Sequence, residues 1–290
     1  MNGILLVNKP EGLSSAAVVR LVKKALAVEK IGHLGTLDPF ASGLLPLCLG
    51  TGTKVAQFLI AERKAYIGTI RLGVETDTLD KTGTVTRSTS VPQYGEDTLR
   101  DLERRFTGDY QQTPPMYSAL KRNGVPLYKL ARRGVVVERE PRRVTVEKFA
   151  LAQLEHDLLG FSLTCSKGTY VRVLAADIGA VLGCGAHLAS LCRTEFGEFS
   201  VRSALPLQVI TETKDVAAAL LSPAQAMRNH RSFLITLEAV ARLRRGQQDV
   251  LRELSLTDTD AEIASLLGPS GELVAIVENQ HGQWRLLRVL

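Results

Sequence analysis

Cysteine and histidine are scarce and scattered in this sequence of 290 residues. No two cysteines form a Cys-x-x-Cys pair, and the histidines lie far apart, so we predict neither a zinc site nor a disulfide framework. We expect reduced and mostly buried thiols, because free cysteine is among the most buried residue types. The residues concerned are Cys48, Cys165, Cys184, Cys192, His33, His156, His187, His230 and His281.

Long apolar runs are also absent. The longest candidate, residues 39–53, contains two prolines and three glycines, which argues against a membrane-spanning helix. A short apolar run over residues 3–7 stops at Asn8, so no signal peptide is expected. We therefore predict a cytoplasmic protein that does not bind membranes.

Two familiar catalytic patterns are missing as well. Residues 50–54 (GTGTK) resemble a phosphate-binding loop only faintly, because the required spacing is not met. The paired carboxylates of a glycosidase cannot be identified either. The chemistry must therefore be sought in other motifs.

The composition is that of an ordinary globular protein, with 45% hydrophobic and 23% charged residues. The length allows one large domain, or a domain with a small appendage. Short apolar runs and amphipathic segments alternate irregularly, and this mixture predicts an α+β fold with a mixed, mainly antiparallel sheet. Strands are predicted over residues 3–7, 64–72, 144–152 and 160–165, and helices over residues 15–28 and 96–106. Residues 168–173 lead into a further helix that continues to about residue 182. More helix is predicted within residues 205–231, and an irregular loop over residues 31–52.

Positive charge is concentrated in one segment. The whole chain carries 36 Lys and Arg against 30 Asp and Glu, a net charge of +6, and residues 121–148 alone carry nine basic and three acidic residues, which is again +6. Such focusing is typical of a surface that binds nucleic-acid phosphates. Tyr117 and Tyr128 lie near or among these cations and could stack on bases. Because turn residues interrupt the segment, we predict a mobile arm.

One carboxylate lies in an unusually apolar setting. Asp38 is surrounded in sequence by Gly, Leu, Pro, Phe and Ala over residues 32–43, and its burial would be costly unless a cation from elsewhere paired with it. On spacing alone, a turn residue before Pro39 is the simpler interpretation.

Several separated motifs, taken together, closely resemble the bacterial TruB-type tRNA pseudouridine synthases, which convert the T-loop uridine at position 55 to pseudouridine. The resemblance extends over most of residues 3–200. Departures are minor: Leu34 replaces a small polar residue, Val173 replaces Ser, and Cys192 stands where Arg is common. The matching motifs are residues 8–15 (NKPEGLSS), 32–46 (GHLGTLDPFASGLLP), 63–66 (RKAY), 72–80 (LGVETDTLD), 114–121 (PPMYSALK), 124–128 (GVPLY), 167–179 (KGTYVRVLAADIG) and 187–199 (HLASLCRTEFGEF).

The resemblance implies a catalytic group of three residues. Asp38 matches the catalytic aspartate that acts at the sugar, and Arg172 matches its ionic partner. Tyr66 matches the tyrosine that stacks on the target base, and its hydroxyl is a candidate for proton transfer. Without the resemblance, Arg172 would be interpreted as a surface strand cation and Tyr66 as a half-buried strand aromatic.

It also implies a set of substrate-binding residues. His33 matches the histidine that wedges into the T-loop and helps to flip the uridine out. Leu191 matches an apolar residue of the base pocket, although a simple core role is an equal alternative. Tyr170 is assigned to the same set, and so is Lys9, where a supporting role for the catalytic loop is the preferred interpretation. The predicted RNA-binding cations are Lys121, Arg122, Arg132, Arg133, Arg142 and Arg143.

The predicted organisation is a catalytic domain over residues 1–232, with a basic thumb inserted at about 113–143. Residues 233–290 are predicted to form a small β-barrel that packs on the main domain and resembles the PUA RNA-binding module. No cofactor or metal is expected, and the partner is the T-stem-loop of tRNA, bound by a monomer with no obligate protein partner. Two rivals stay open: a non-catalytic RNA-binding or RNA-folding protein, and a synthase acting on a different RNA, such as the guide-RNA-dependent relatives, against which the short tail and stand-alone length argue.

Overall fold

A mixed sheet of eleven strands forms the centre of the computed structural model, which describes residues 1–60, 62–213, 215–254, 256 and 261–290. The strands of the described residues, in chain order, are β1 Gly3–Lys9, β2 Ile31–His33, β3 Ser42–Leu49, β4 Lys64–Leu72, β5 Val74–Thr76, β6 Val85–Ser88, β7 Gly108–Gln112, β8 Lys121–Arg122, β9 Val125–Pro126, β10 Arg142–Glu155, β11 Leu158–Cys165, β12 Ala186–Phe196, β13 Phe199–Ser200, β14 Leu205–Pro206, β15 Leu220–Leu221, β16 Arg231–Leu234, β17 Ile263–Leu267, β18 Leu273–Gln280 and β19 Gln283–Val289.

The helices are short, and none within the described ranges is long and apolar enough to cross a membrane. The α-helices are α1 Ser15–Ala25, α2 Ala56–Leu59, α3 Glu96–Phe106, α4 Leu127–Ala131, α5 Val171–Val181, α6 Leu207–Thr213, α7 Pro223–Ala226, α8 Leu237–Arg244 and α9 Val250–Glu253, and short 3-10 helices occupy Gly50–Lys54, Val201–Ser203 and Ala217–Ala219.

The main path of the central sheet has the order β14-β1-β3-β12-β4-β11-β10-β7. The pairs β1/β14 and β3/β12 are parallel, and the other neighbours on this path are antiparallel. The predicted α+β class with a mixed, mainly antiparallel sheet is therefore confirmed.

Amphipathic spacing explains the helices that cover the sheet. In α3, Leu99, Leu102 and Phe106 share one face and are buried, while the rest of the helix is polar. In α1, the Oγ of Ser14 accepts a hydrogen bond from the Ala17 amide at 3.1 Å and caps the helix. Both helices begin where the sequence predicts.

The prediction of an irregular loop over residues 31–52 is wrong at its start, where β2 occupies Ile31–His33, and over Ser42–Leu49, which form β3. Strand β3 is buried on both faces, with Leu45 and Leu47 in one core cluster and Leu44 and Cys48 in another. A strand buried on both faces shows no alternation of apolar and polar residues, so its sequence lacks the period expected of a strand.

The basic thumb is a long connection between two neighbouring strands. Gln112 at the end of β7 pairs with Arg142 at the start of β10, so residues 113–141 leave the sheet and return at the same point. The mobile arm predicted for residues 121–148 is therefore too long. Arg142 and Arg143 belong to the central sheet, and Arg143 bonds to the Asp109 carboxylate.

The C-terminal residues form an open four-stranded sheet, ordered β16-β17-β18-β19, rather than the predicted barrel. The sheet does not have to close into a barrel, because other elements cover both of its faces. Val240 and Leu243 of α8 pack on one face, with Val274. On the other face, Leu273 and Ile276 share a core cluster with residues of β1, β3 and β12. The predicted packing on the main domain is confirmed.

This shared core predicts that the two sheets depend on each other for stability. Ile276 is fully buried in it, so Ile276→Ala is expected to lower the free energy of unfolding by about 2–5 kcal/mol. Leu234→Ala is the matched control, because Leu234 is 77% exposed, and a change within about 0.5 kcal/mol is expected there. Chemical denaturation measures both. An Ile276→Ala loss no larger than the control would contradict the shared core.

Candidate active site

The loop between β2 and β3 presents Asp38 at the edge of the core. The Leu37 amide donates to Ser15 Oγ at 2.8 Å, and that hydroxyl donates to the Leu37 carbonyl at 3.0 Å, which ties the loop to the start of α1. The Asp38 carbonyl accepts from the Ala41 amide at 3.1 Å, so the residue does occupy a turn before Pro39. Its carboxylate remains free to make contacts elsewhere.

A buried guanidinium meets this carboxylate. Arg172 lies in the first turn of α5, and its Nε donates to Asp38 Oδ2 at 2.8 Å while its Nη2 donates to Oδ1 at 3.3 Å. Such a two-pronged contact fixes the plane of the carboxylate. The Arg172 side chain is 5% exposed and that of Asp38 is 33% exposed, so the open side of the pair belongs to the carboxylate. The alternative of a surface strand cation is wrong, because Arg172 is helical and buried.

A second carboxylate, Asp80, shares the same guanidinium. Asp80 Oδ2 lies 3.5 Å from Arg172 Nη1, and its side chain is 6% exposed. Its Oδ1 accepts hydrogen bonds from the Thr78 hydroxyl and the Thr82 amide, both at 2.9 Å. Asp80 is not among the predicted site residues, although it is the last residue of the matching motif 72–80, which also contains Glu75 and Asp77.

The surroundings act on the Asp38 carboxyl in opposite directions. Burial raises its pKa above the ordinary value, Arg172 opposes that rise, and the negative charge of Asp80 adds to it. The net direction is upward. The guanidinium is thus needed to hold the carboxylate ionised.

Arg172 also joins two backbone segments to the ion pair. Its Nη1 donates to the Thr78 carbonyl at 2.8 Å, and its Nη2 donates to the Tyr117 carbonyl at 2.8 Å. Tyr117 lies at the root of the thumb. One side chain therefore connects the Asp38 loop, the loop that carries Asp80 and the thumb.

Tyr66 and Leu191 lie on adjacent strands and face the same side of the sheet. Tyr66 of β4 pairs with Arg193 of β12, and Leu191 pairs with Gly68 two positions along. Both side chains belong to the core cluster and are buried, and burial raises the pKa of the Tyr66 hydroxyl. Tyr66 is more deeply buried than the half-buried strand aromatic expected without the resemblance.

An open cleft of about 630 Å³ lies next to this group, bordered by Leu191 and Cys192. Its other lining residues come mainly from β4, β10 and β11, and neither Asp38 nor Arg172 nor Tyr66 is among them. Among the predicted site residues the cleft is lined by Leu191 alone, so the geometry of the polar groups locates the site more directly.

His33 ends β2, just before the Asp38 loop. Its Nδ1 is buried without a hydrogen-bond partner among the described residues. Burial and, to a smaller extent, the positive charge of Arg193 lower the pKa of its ring. A lowered pKa favours the neutral form of the imidazole at physiological pH.

Lys9 does not face a substrate. It is fully buried, and its ammonium donates to the carbonyls of Pro10, Leu13 and Pro39 at 2.9, 2.6 and 3.3 Å. Its assignment to the substrate-binding set is therefore corrected. All three contacts are to backbone carbonyls, and one of these belongs to Pro39, the residue next to Asp38. The supporting role agrees with this geometry.

Tyr170 immediately precedes α5 and is partly buried. The amide side chain of Gln112 fixes its backbone: Oε1 accepts from the Tyr170 amide at 2.7 Å, and Nε2 donates to its carbonyl at 3.1 Å. Gln112 is the last residue of β7. This contact places Tyr170 between the base of the thumb and Arg172.

The thumb carries the other predicted RNA-binding cations. Lys121 and Arg122 are exposed on the short β8–β9 hairpin, where Arg122 donates to the Glu138 carbonyl at 3.0 Å. Arg132 lies over the ring of Tyr128 at 5.7 Å, and Arg133 is exposed beside it. No group of three or more His, Cys, Asp or Glu side chains among the described residues could hold a metal ion.

Comparison with protein families identifies two consecutive matches. Residues 23–171 match the model described as "TruB family pseudouridylate synthase (N terminal domain)". Residues 172–229 match the "tRNA pseudouridylate synthase B C-terminal domain". The boundary between them falls at Arg172, so the ion pair joins the two matched segments.

Similar proteins of known name cover the whole chain. A "tRNA pseudouridine synthase B" of Syntrophotalea carbinolica is 40% identical over 100% of this chain and 98% of its own length. A protein of the same name from Geobacter sulfurreducens is 40% identical over 100% of this chain and 99% of its own. Among solved structures, a chain of "a Cbf5-Nop10-Gar1 Complex" superposes with a TM-score of 0.73 at 25% identity, covering 99% of this chain and 84% of that one.

The buried ammonium of Lys9 predicts a pH dependence of stability. Burial lowers its pKa in the folded protein from 10.5 to about 8, so between these values the unfolded chain binds the additional proton. Stability then rises with pH. At about 1.4 kcal/mol per pKa unit, the advantage of wild type over Lys9→Met should grow by roughly 2–3 kcal/mol between pH 7.5 and 10. Urea denaturation of both proteins measures this difference. A pH-independent difference would contradict the lowered pKa.

Proposed function

Because the chain belongs to the TruB family of pseudouridylate synthases, and is therefore an RNA-modifying isomerase, we propose that it converts the T-loop uridine of tRNA, position 55, to pseudouridine. The observation that carries this proposal is the Asp38–Arg172 pair, whose carboxylate is open on one side while its cation is buried. The reaction detaches uracil from its ribose, turns it and rejoins it through carbon. Such a reaction requires a carboxylate at the sugar and a site that limits access of water.

Asp38 is the group that acts at the anomeric carbon, either as nucleophile or as proton acceptor. Arg172 keeps it ionised and aimed, because the bidentate contact favours the charged form that burial disfavours. Asp80 limits this effect by drawing on the same guanidinium at 3.5 Å. The cation therefore holds Asp38 without neutralising it fully.

Tyr66 and Leu191 form the two walls of the base pocket. Their burial and their common face on neighbouring strands support this role. The Tyr66 hydroxyl is the candidate for proton transfer at the sugar or at C5 of the turned base.

Extrusion of the uridine is assigned to the loop and the thumb. His33, with its neutral ring, wedges into the T-loop and compensates for lost base stacking. Tyr170 borders the pocket from the thumb side. Lys121, Arg122, Arg132 and Arg133 of the thumb contact backbone phosphates, with a smaller contribution from Arg142 and Arg143 because Arg143 already bonds to Asp109.

The remaining expectations belong to the same proposal. Residues 233–290 act as a PUA-like RNA-binding unit, although the sheet that they form with residues 231–232 is open. The enzyme works as a cytoplasmic monomer on the T-stem-loop, without a cofactor, metal or obligate protein partner.

The carboxylate is tested by Asp38→Asn. Turnover on unmodified tRNA transcript should fall by more than a thousandfold, because an amide cannot act as the nucleophile, while the tRNA dissociation constant changes less than about threefold. Pseudouridine mapping and filter binding measure these two effects.

Asp97→Asn is the matched control, since Asp97 is fully exposed on α3 and lies away from the site. Residual activity of Asp38→Asn within about tenfold of wild type, or 1.4 kcal/mol of barrier, would contradict the assignment. A wild-type protein that binds tRNA but forms no pseudouridine would favour the RNA-folding alternative.

The thumb is tested by the double variant Arg132→Gln and Arg133→Gln. Removing two phosphate contacts should weaken tRNA binding and reduce the slope of log affinity against log salt by about 1–2. The control removes two charges elsewhere, as Arg100→Gln with Arg104→Gln on α3, where both cations already pair with acidic side chains. If the two double variants give equal slopes, the thumb cations face solvent.

A further inference from the structure

Arg193 is a buried cation with no role in the site described above. It lies on β12 and is 1% exposed. Its Nε donates to the Leu44 carbonyl at 2.7 Å, and its Nη2 and Nη1 donate to the carbonyls of Gly35 and Thr36 at 3.1 and 3.5 Å. All three backbone acceptors belong to the segment that carries Asp38.

The guanidinium has no carboxylate partner in the described part of the chain. It also lies near the Phe196 ring, whose centroid is 5.3 Å from the guanidinium carbon. Burial without a counter-ion is costly, and burial accordingly lowers the pKa of Arg193. An apolar side chain would fill this position in the core without the cost of burying a charge.

The positions of the acceptors define what the contacts restrain. Gly35 and Thr36 precede Asp38 by three and two residues, whereas Leu44 follows it by six. The guanidinium therefore holds both ends of the loop. Its planar fork can reach separate carbonyls at the same time, which a lysine ammonium cannot reproduce with the same geometry.

The loop backbone is adapted to this close approach. At Gly43, where φ is +99°, an added Cβ would lie 2.3 Å from the Arg193 carbonyl oxygen. At Gly35 an added Cβ would lie 3.2 Å from the Phe196 ring and 3.7 Å from Arg193 Nη1. Glycine at both ends lets the loop lie directly against β12.

The same residue lies beside the tyrosine of the site. Arg193 and Tyr66 are paired in register on β12 and β4, so their side chains project from the same face of the sheet. The positive charge of Arg193 opposes the burial that raises the pKa of Tyr66.

We propose that Arg193 is a positioning residue that holds the Asp38 loop against β12, at the strand position paired with Tyr66. This inference rests on the proposed function of Asp38 and Tyr66. Arg193 contacts neither the substrate nor the reacting atoms. Its effect is to fix the distance between a group at the sugar and a group at the base, where a displacement of about 1 Å costs on the order of a hundredfold in rate.

The test compares Arg193→Met and Arg193→Lys in the full-length protein. The single-turnover rate of pseudouridine formation should fall about a hundredfold or more in Arg193→Met, with partial recovery in Arg193→Lys, while tRNA affinity stays within about threefold. In the Tyr66→Phe background, Arg193→Met should cost much less than it does alone, because the two side chains act together. Fully multiplicative losses would overturn the coupling.

Lys64→Met is the matched control. Lys64 lies over the same Phe196 ring at 4.4 Å and is buried, but its ammonium bonds to the carbonyls of Ile60 and Glu62, away from the Asp38 loop. It should lose stability and keep its turnover. An equal rate loss in Lys64→Met and Arg193→Met would reduce Arg193 to a core residue and overturn the proposal.

Amide hydrogen exchange gives a readout that does not require activity. Exchange of the amides in residues 34–44 should accelerate in both Arg193 variants and stay unchanged in Lys64→Met. If wild type forms no pseudouridine, the proposed function fails while this restraint is still measurable. Unchanged exchange in the Arg193 variants would overturn the inference even in an active enzyme.

Discussion

The buried guanidinium of Arg172 is the interaction on which the site depends. It binds two carboxylates, Asp38 and Asp80, and two backbone carbonyls, so that its charge is shared among elements far apart in sequence. Removal of such a cation would leave Asp80 buried beside Asp38 with no compensating charge. The same cation therefore holds these segments together and compensates the charge of the two carboxylates.

Three further buried cations bind mainly to backbone groups. Lys9, Lys64 and Arg193 are all buried, and their polar contacts are chiefly to carbonyl oxygens. Carbonyl dipoles stabilise a cation without removing its net charge. For Lys9 this charge reaches the site, where it lowers the pKa of Asp38, although burial keeps the net direction upward.

Local pattern predicted the parts of the fold that have a local cause. The bounds of α3 follow from its apolar spacing, and β4 is predicted over the same residues that it occupies. Strand β3 could not be predicted by periodicity, because it is covered on both faces by elements far away in sequence. The open C-terminal sheet was unpredictable for the same reason, since packing against β1 and β3 replaces closure.

The residues of the site also fall into those that the sequence indicates and those that only the structure shows. Asp38, Tyr66 and Arg172 were selected through motifs, and the structure brings Asp38 and Arg172 into contact. Asp80 ends the matching motif 72–80, but the sequence does not show that Arg172 lies beside this carboxylate rather than beside Glu75 or Asp77. The sequence does not show that Lys9 is fully buried, with its ammonium bonded to backbone carbonyls. Nor does it show that the exposed Arg143 already bonds to the Asp109 carboxylate.

The hydrogen bond from Arg172 to the Tyr117 carbonyl has a mechanical consequence. The thumb is anchored at its root to the guanidinium that holds Asp38. A movement of the root that breaks this bond leaves a buried N–H without its acceptor, at a cost of about 1–3 kcal/mol. Because the same nitrogen, Nη2, donates to Tyr117 and to Asp38, the position of the thumb root and the position of the carboxylate are coupled.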